Sequence, residues 1–262
     1  MKSLIGVWAM CVAVSCVAVG AQLPSAVPRA VLDLPPGPGN TRNSEGDFAL
    51  LKDGRILFAY SKFVGGTGGD HDRCVIAQRV SSDRGETWSG DRIVATNELE
   101  AGGNVMSVSF MRLKDGRLAL FHDCKLKTPD GYSSSVKLMR TSSDEGDTWS
   151  AARDILPHAP KSYRVLNNAR VLRLKSGRLL MPLADHGLFG KDRPFNSNAS
   201  MVCALSDDDG ETWRLSSSVR RSDENAERKI LFQEPGVVEL KDGRVLMYFR
   251  TNAGRQYYAY SK

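Results

Sequence analysis

Residues 142–149 read Ser-Ser-Asp-Glu-Gly-Asp-Thr-Trp, and the same pattern, Ser-x-Asp-x-Gly-x-Thr-Trp, occurs at 81–88 and 206–213. The tryptophans of the three copies recur at intervals of 61 and 64 residues. Self-similarity at a nearly fixed interval is the signature of a repeat architecture. In each copy the Ser and Asp side chains can bond nearby backbone N–H groups, the Gly permits a positive φ, and the Trp covers apolar surface. We therefore interpret the pattern as a turn that belongs to one repeated structural unit.

A second motif runs in phase with the first. Leu-Lys-Asp-Gly-Arg occurs at 51–55, 113–117 and 240–244, and Leu-Lys-Ser-Gly-Arg occurs at 174–178. An Asp-Gly pair between two apolar runs is a strong signal for a β-hairpin. Each unit is thus predicted to contain two strands joined by this turn, a third strand, the Ser-x-Asp-x-Gly-x-Thr-Trp turn and a short fourth strand. Four antiparallel strands in each repeated unit predict the blades of a β-propeller.

The composition is that of a folded globular protein and argues against two kinds of binding site. Of the 262 residues, 41% are hydrophobic and 25% are charged. The net charge is +6, but no run of basic residues is interleaved with aromatic ones, so we expect no nucleic-acid partner. Residues 207–210, Asp-Asp-Asp-Gly, resemble the start of a calcium loop whose later ligands are missing. We therefore expect neither a metal nor a cofactor.

The N-terminus has the pattern of a secretory signal. Residues 4–20 are apolar and follow Lys2, and Val-Gly-Ala at 19–21 suits a signal peptidase. We interpret 1–21 as a signal peptide, with an uncleaved anchor or a lipoprotein at Cys16 as alternatives. Residues 22–43, which contain several Pro and Gly, are expected to form an extended leader. The mature chain is then secreted or periplasmic, without a membrane span, and its propeller occupies 44–262.

Strand direction predicts where a binding site lies. Neighbouring strands of a blade run antiparallel, so both turn motifs lie at one end of the propeller, where we expect them to be structural. Propellers bind ligands on loops held by the rigid scaffold, so the opposite rim is the candidate functional face. A solvated rim is polar in any case, but here polar residues from four units meet on one face. They are Arg42, Glu45, Asp47, Asp70, Asp72, Asn104, His122, Asp123, Asn167, Asn168, Arg170, Asp185, His186, Glu234, Arg250 and Asn252.

The Ser-x-Asp-x-Gly-x-Thr-Trp turns are similar to the Asp-box, or BNR repeat, of sialidases, six-bladed propellers that remove terminal sialic acids. The resemblance extends from about Arg42 to Lys262. A more specific match is Gln-Glu-Pro-Gly-Val-Val-Glu-Leu at 233–240, followed by Met-Tyr-Phe-Arg-Thr-Asn at 247–252. It resembles the sialidase segment in which a glutamate on one inner strand precedes an arginine at the end of the next.

The resemblance assigns roles to two residues of this segment. It implies that Glu234 is the base that deprotonates a tyrosine nucleophile. It also implies that Arg250 is one of three arginines that grip the substrate carboxylate, a task for which a bidentate guanidinium is suited. Sialidases thereby depart from the usual scheme of two catalytic carboxylates.

The segment Gly-Gly-Asp-His-Asp at 68–72 resembles the one that carries the sialidase acid/base aspartate. Asp70 is our candidate for that role, with Asp72 second. By this resemblance Asp70 would protonate the leaving oxygen and then activate water.

The remaining substrate-binding candidates come from the rim. The Arg-Ile-Pro motif of the first sialidase blade is absent, and Ser-Glu-Gly-Asp at 44–47 stands about there instead. Arg42, slightly upstream, is the candidate for the first arginine. Asn104, Asn168 and Arg170 are added as further substrate-binding residues.

The predicted fold is thus an all-β, sialidase-like, six-bladed propeller, of which about the first three and a half blades are present. The chain stops in a third strand, and Ser261 is in the place of the first residue of a fourth box. Six blades need about 360 residues, so we interpret the sequence as a piece of a longer protein. The tyrosine nucleophile and the third arginine would follow Lys262, and we expect this piece alone to be inactive.

The function that the resemblance implies is that of a secreted exo-α-sialidase, with a sialylated glycan or another acidic sugar as its partner. Three alternatives remain open at this point. One is a related glycosidase that acts on another acidic sugar. The second is a non-catalytic carbohydrate-binding propeller, and the third is a structural adhesion propeller of a cell surface.

Overall fold

The Leu-Lys-Asp-Gly-Arg motifs are tight turns between long antiparallel strands. In the turn at 51–55, the N–H of Leu51 donates to the carbonyl of Arg55 at 2.8 Å, and the Asp53 carboxylate accepts from the N–H of Arg55 at 3.0 Å. Gly54 has a φ of +87°, a left-handed conformation that suits glycine. The predicted hairpins are therefore confirmed.

The computed structural model describes residues 30, 32–99, 103–219 and 230–261. The predicted signal peptide at 1–21 and residues 22–29 and 31 of the predicted leader at 22–43 lie outside them. The predicted all-β class is confirmed, because the described ranges contain strands and no helix. The strands are β1 (Arg42–Leu50), β2 (Ile56–Phe63), β3 (Cys74–Ser81), β4 (Arg92–Ala95), β5 (Val105–Arg112), β6 (Leu118–Lys127), β7 (Ser133–Ser142), β8 (Arg153–Asp154), β9 (Arg164–Leu166), β10 (Leu172–Arg173), β11 (Leu179–Asp185), β12 (Ser200–Ser206), β13 (Arg214–Leu215), β14 (Phe232–Glu239), β15 (Val245–Thr251) and β16 (Tyr257–Tyr260).

Each repeat forms one antiparallel sheet, and the strands follow one another in chain order. Sheet 1 is β1-β2-β3-β4, and sheet 2 is β5-β6-β7-β8. Sheet 3 is β10-β11-β12-β13, with the short β9 also paired to β11. Sheet 4 is β14-β15-β16. In the part of the chain covered by these ranges, no helix is long and apolar enough to cross a membrane.

The Asp-boxes are closed by their own side chains. In the second box, Ser142 Oγ accepts a hydrogen bond from the N–H of Gly146 at 2.7 Å and donates one to Asp144 Oδ1 at 2.7 Å. The Asp144 carboxylate also accepts from the N–H and the hydroxyl of Thr148, at 2.8 and 2.6 Å. The hydrogen bond from the Thr148 hydroxyl and the other contacts lower the pKa of Asp144 to about 2. The predicted structural use of the box residues agrees with this geometry.

The second and third boxes also contact the turn of the preceding repeat. Glu145, which has a left-handed φ of 58°, accepts a hydrogen bond from the N–H of Lys52 at 2.9 Å. In the third box Asp209, with a φ of 61°, accepts one from the N–H of Lys114 at 2.7 Å. The turns and the boxes therefore lie at the same end of their sheets, as the strand directions predicted.

The core consists of apolar clusters between successive sheets. Leu57 and Ile76 of sheet 1 belong to one cluster with Leu118 and Leu120 of sheet 2, and Trp149 packs against its edge. A second cluster joins sheets 2 and 3, and a third joins sheets 3 and 4. Burying a large aliphatic side chain contributes about 1.5–3 kcal/mol. This packing holds the strand ends opposite the boxes in fixed positions.

Candidate active site

In each repeat, one residue other than glycine has a positive φ in the segment that precedes the Leu-Lys-Asp-Gly-Arg or Leu-Lys-Ser-Gly-Arg turn. These residues are Glu45 (51°), Ser107 (66°), Ala169 (53°) and Glu234 (51°). At Glu45, Ser107 and Glu234 the strand pairing also shifts register, which is a β-bulge. Left-handed backbone is uncommon outside glycine, and bulges re-aim side chains beside functional sites. Ala169, between β9 and β10, shares the backbone conformation without a register shift, and the four together are named the bulge positions below.

A cavity of about 600 Å³ lies among the strand ends opposite the boxes, and all four sheets contribute to its wall. Its volume is in the range of small-molecule sites, about 300–1,000 Å³. The wall combines several carboxylates with cationic and aromatic side chains. Its residues are Glu45, Asp70, His71, Met106, Ser107, Asp123, Lys125, Tyr163, Val165, Asn167, Ala184, His186, Phe189, Phe195, Gln233, Glu234 and Arg250.

Glu234 and Arg250 form one ionic pair in this wall. Arg250 Nη1 donates to Glu234 Oε1 at 2.6 Å, and the side chains keep 62% and 42% of their surface exposed. The two residues come together because β14 pairs with β15, which places Gln233 opposite Arg250. An exposed guanidinium with free donors is able to bind a further carboxylate from solution.

Asp70 is paired with a different arginine. It lies in the loop between β2 and β3, and its Oδ1 accepts a hydrogen bond from Arg42 Nη2 at 2.8 Å. Burial raises the pKa of Asp70, but the hydrogen bond and charge of Arg42, together with the charges of Lys125 and His71, leave the pKa lowered. The Arg42 guanidinium also lies 3.8 Å above the ring of Phe63. Arg42 therefore contacts the cavity through Asp70 and is not itself part of the wall.

The surroundings of Glu45 shift its pKa in the opposite direction. Burial and then the negative charge of Asp70 raise its pKa, and the contributions of Ser107, Lys125 and Arg42 that lower it are smaller. Its Oε2 accepts a hydrogen bond from Ser107 Oγ at 3.3 Å. Lys125 Nζ donates to the backbone carbonyl of Asp70. Two carboxyl groups of the first repeat thus face the same cavity with pKa values shifted in opposite directions.

A buried ion pair lies below these groups. Asp123 Oδ1 and Lys137 Nζ are 2.9 Å apart, and each side chain is 2% exposed. Asp123 Oδ2 also accepts from the N–H of Leu166 at 2.9 Å, which ties sheet 2 to β9. Buried charges persist when they are paired and hydrogen-bonded. This pair is therefore a support of the cavity floor.

Aromatic rings form one side of the cavity. Tyr163 and Phe189 meet edge to face at 5.0 Å, and His186 stacks on Phe195 at 4.7 Å. His71, beside Asp70 in the chain, lies 5.8 Å from Tyr163. Such rings offer a flat apolar surface next to polar groups, which suits the C–H face of a sugar ring.

Asn104, a predicted substrate-binding residue, holds the loop of Asp70. Its Nδ2 donates to the backbone carbonyls of Asp70 and Asp72 at 3.2 and 2.6 Å. The Asp72 carboxylate accepts from the N–H groups of Thr67 and Gly69 at 2.7 and 2.9 Å. Neither Asn104 nor Asp72 is among the residues of the cavity wall, and both position Asp70.

Asn168 and Arg170, the other predicted substrate-binding residues, link repeats. Asn168 Nδ2 donates to the carbonyl of Gly46 at 3.1 Å. Arg170 Nη1 donates to the hydroxyl of Tyr248 at 2.8 Å, and the backbone N–H of Arg170 donates to Ser109 Oγ at 2.9 Å. Both side chains are committed to protein contacts outside the cavity wall.

Sequence analysis placed Glu45 on the candidate functional face but assigned it no catalytic or binding role. A signal for it was present, because Glu45 and Glu234 each precede the leucine of a Leu-Lys-Asp-Gly-Arg motif, Leu51 and Leu240, by six positions. Tyr163, Phe189 and Phe195 carry no such signal, since their segments have no counterpart in the other repeats. Within the ranges that the structure covers, no group of three or more His, Cys, Asp and Glu side chains is arranged to hold a metal ion.

Comparisons with solved structures show the same fold in proteins of distant sequence. A protein of unknown function from Dyadobacter fermentans is 20% identical, with a TM-score of 0.66 over 86% of this chain and 67% of its own. A Hadza microbial sialidase is 18% identical, with a TM-score of 0.66 over 84% of this chain. The intramolecular trans-sialidase of Ruminococcus gnavus, solved with oseltamivir carboxylate, is 16% identical, with a TM-score of 0.61 over 86% of this chain.

The chain spans only part of these proteins, namely 44% of the Hadza sialidase and 69% of the trans-sialidase. Its own sequence matches the model of the BNR repeat-like domain over residues 43–262. That match includes all three Asp-boxes and all four turn motifs. The chain therefore belongs to the BNR repeat-like domain family, and the predicted membership of the sialidase and BNR-repeat superfamily is confirmed.

Proposed function

We propose that this protein is a secreted or periplasmic glycoside hydrolase that removes a terminal acidic sugar, sialic acid in the first place, from a glycan. The observation that carries the proposal is that Asp70, Glu234 and Arg250 share one cavity. Glycoside hydrolysis needs a group that transfers a proton at the glycosidic oxygen and a group that stabilises or attacks the sugar carbon. Carboxyl groups in a cavity of sugar size provide the first requirement.

Arg250 supports the choice of an acidic sugar. It is the most exposed cation of the cavity wall, and a guanidinium pairs with a carboxylate through two parallel hydrogen bonds. A substrate carboxylate would compete with Glu234 for Arg250. Glu234, once released, becomes available as a base. The aromatic side with Tyr163, Phe189 and Phe195 would pack against the sugar ring.

The six-bladed ring is part of the same proposal. Four antiparallel sheets built on one repeat are the unit of such a ring, and the two sialidase structures share this arrangement over most of the chain. In the complete ring the tyrosine nucleophile and a third arginine would come from residues after Lys262.

A non-catalytic carbohydrate-binding protein is the second candidate. It is favoured by the two ion pairs, Arg42 with Asp70 and Arg250 with Glu234, which neutralise the carboxylates when no ligand is bound. Such a protein would bind an acidic glycan without cleaving it.

The test is to incubate the full-length protein with sialyllactose and with oligosaccharides that end in other acidic sugars, and to measure the free monosaccharide released. Glu234→Gln should remove release, and Glu211→Gln, which changes an exposed glutamate of the third box, should not. Binding without release by the unmodified protein would select the non-catalytic candidate. The absence of both binding and release would reject the proposed function.

A further inference from the structure

The first repeat places two carboxyl groups in the cavity with unequal partners. Asp70 is held by the guanidinium of Arg42 at 2.8 Å. Glu45, on the bulge of β1, is held by the hydroxyl of Ser107 at 3.3 Å and forms no ion pair with another residue of the described ranges. Only one of the two groups therefore has a counter-ion in direct contact.

The two carboxyl groups have pKa values shifted in opposite directions. Burial raises the pKa of Asp70, but the hydrogen bond and charge of Arg42, together with the charges of Lys125 and His71, leave it lowered. The pKa of Glu45 is raised, first by burial and second by the negative charge on Asp70. When surroundings push the pKa values of two neighbouring carboxyls apart, the one with the higher value keeps its proton and can act as the acid.

Other charged and titratable groups face Glu45 without reversing this order. Lys125 and Arg42 lower its pKa by less than burial raises it. When Glu45 is ionised, its negative charge in turn raises the pKa values of Cys74 and Tyr163, for both of which burial is the larger cause. The groups around Glu45 are therefore Arg42, Asp70, Cys74, Lys125 and Tyr163.

The backbone conformation at Glu45 is also unusual for a glutamate. Its φ of 51° is a left-handed conformation, which glutamate adopts at a cost in free energy. The same bulge position carries Glu234 in sheet 4, and Ser107 and Ala169 in the other two sheets. Glu45 thus combines backbone strain, burial and a place in the cavity wall.

We propose that Glu45 is the proton donor of this cavity and that Asp70 acts beside it as an ionised partner. This assignment rests on the proposed glycosidase function and changes one role within it. The resemblance to sialidases gives proton transfer to Asp70. In this chain the contact with Arg42 makes Asp70 the poorer donor.

Glu45 takes part in two proton transfers of the reaction. As the bond between the sugar carbon and the glycosidic oxygen breaks, its electron pair stays on that oxygen, which takes the proton of the Glu45 carboxyl. The alcohol leaves, and Glu45 becomes a carboxylate. The negative Asp70 carboxylate stabilises the positive charge that develops on the sugar. In the proposed function a tyrosine oxygen bonds to the sugar carbon and gives its proton to Glu234. A water molecule later bonds to that carbon and gives a proton to Glu45, while the tyrosine oxygen leaves and takes its proton back from Glu234, so that the net change is the consumption of one water.

The first test uses the acidity of the leaving group in the full-length protein. A nitrophenolate leaves as a stable anion and needs no proton. The lactose of sialyllactose leaves as an alcohol and needs one. Glu45→Gln should lower kcat/KM for sialyllactose by roughly 10²–10⁴-fold and leave the nitrophenyl sialoside within about 10-fold of the unmodified protein. Asp70→Asn should impair both substrates. Glu211→Gln is the matched control.

A purely structural role for Glu45 would lower both rates together, so the ratio of the two substrates separates the explanations. The assignment is overturned if Glu45→Gln cleaves sialyllactose normally. It is also overturned if the nitrophenyl substrate rescues Asp70→Asn and not Glu45→Gln.

The second test needs no turnover. Carboxyl ¹³C signals of the glutamate-labelled protein are followed against pH, and the signal that Glu45→Gln removes is that of Glu45. We expect it to titrate above its ordinary value of 4.5 and to shift downward in Asp70→Asn, because a negative neighbour is lost. Titration below 4.5 overturns the assignment of the proton, whatever the activity. A protein that cleaves no glycoside overturns the proposed function instead.

Discussion

Glu145 of the second Asp-box accepts a hydrogen bond from the backbone N–H of Lys52, at 2.9 Å, and so fastens the second repeat to the turn of the first. The same carboxylate accepts two hydrogen bonds from Arg112, each at 2.7 Å. The Glu145 side chain is 14% exposed, so these contacts are largely protected from water. Box residues therefore act between repeats as well as within them.

Glu145→Ala should lower the free energy of unfolding by about 1–3 kcal/mol, because Arg112 and the N–H of Lys52 lose a charged partner. The measurement is chemical denaturation followed by tryptophan fluorescence. Arg84→Ala is the control, since Arg84 holds the same box position at a φ of 63° in the first repeat. Equal losses for the two variants would show that the contact between repeats contributes nothing.

Trp149→Ala should destabilise the interface between sheets 1 and 2. The indole packs on Phe110 with ring centres 6.2 Å apart, and its Nε1 donates to Gln78 Oε1 at 2.9 Å. We expect a loss of about 3 kcal/mol, measured as a lower Tm and a lower denaturant midpoint. Trp149→Phe keeps most of the packing and should lose less. A variant that is as stable as the unmodified protein would contradict the packing role of the box tryptophan.

Arg250→Lys should weaken the binding of a carboxylate-bearing sugar by about 10-fold or more, because a point charge replaces a two-pronged donor. Titration calorimetry with sialyllactose measures the change. The matched control is Arg244→Lys, in the turn directly before the same strand, where Arg244 pairs with Asp242 at 2.8 Å. Unchanged affinity in Arg250→Lys would remove Arg250 from the binding site.

Arg42→Leu should make stability depend less on pH. The folded-state pKa of Asp70 lies below 3.8, the ordinary value, so the pair with Arg42 stabilises the fold above 3.8 and is lost as the pH falls through the folded-state value. The variant should therefore be less stable at pH 7, and the difference should shrink toward pH 2. Denaturation at several pH values tests this. A difference that stays constant with pH would show that Arg42 stabilises through its contact with the Phe63 ring and not through Asp70.

The parts of the fold that sequence predicted are those set by neighbouring residues. Asp53, Gly54 and Arg55 form their turn within five positions, and the box from Ser142 to Trp149 closes on itself, so each motif specifies its own geometry. Because the four sheets repeat the same motifs, the all-β class and the family followed from them.

The parts that sequence did not predict depend on contacts between distant residues. Arg170 was placed on the functional face by strand direction, but its contact with Tyr248 joins residues 78 positions apart. Asn168 and Gly46 are 122 positions apart. The aromatic side of the cavity comes from loops with no counterpart in other repeats. Glu45 was placed on the functional face but received no role, because the resemblance directs attention to an arginine near that place.

The four bulge positions have a consequence for how such proteins diversify. Glu45, Ser107, Ala169 and Glu234 share nearly the same φ, from 51° to 66°, although their side chains differ in size, polarity and charge. The same backbone conformation thus accommodates a carboxylate, a hydroxyl and a methyl group, and at Glu45, Ser107 and Glu234 it coincides with a register shift of the strand pairing. A descendant of this scaffold can thus acquire a new acid, a neutral donor or an empty space with a single codon change, and its ancestral sheets remain as they were.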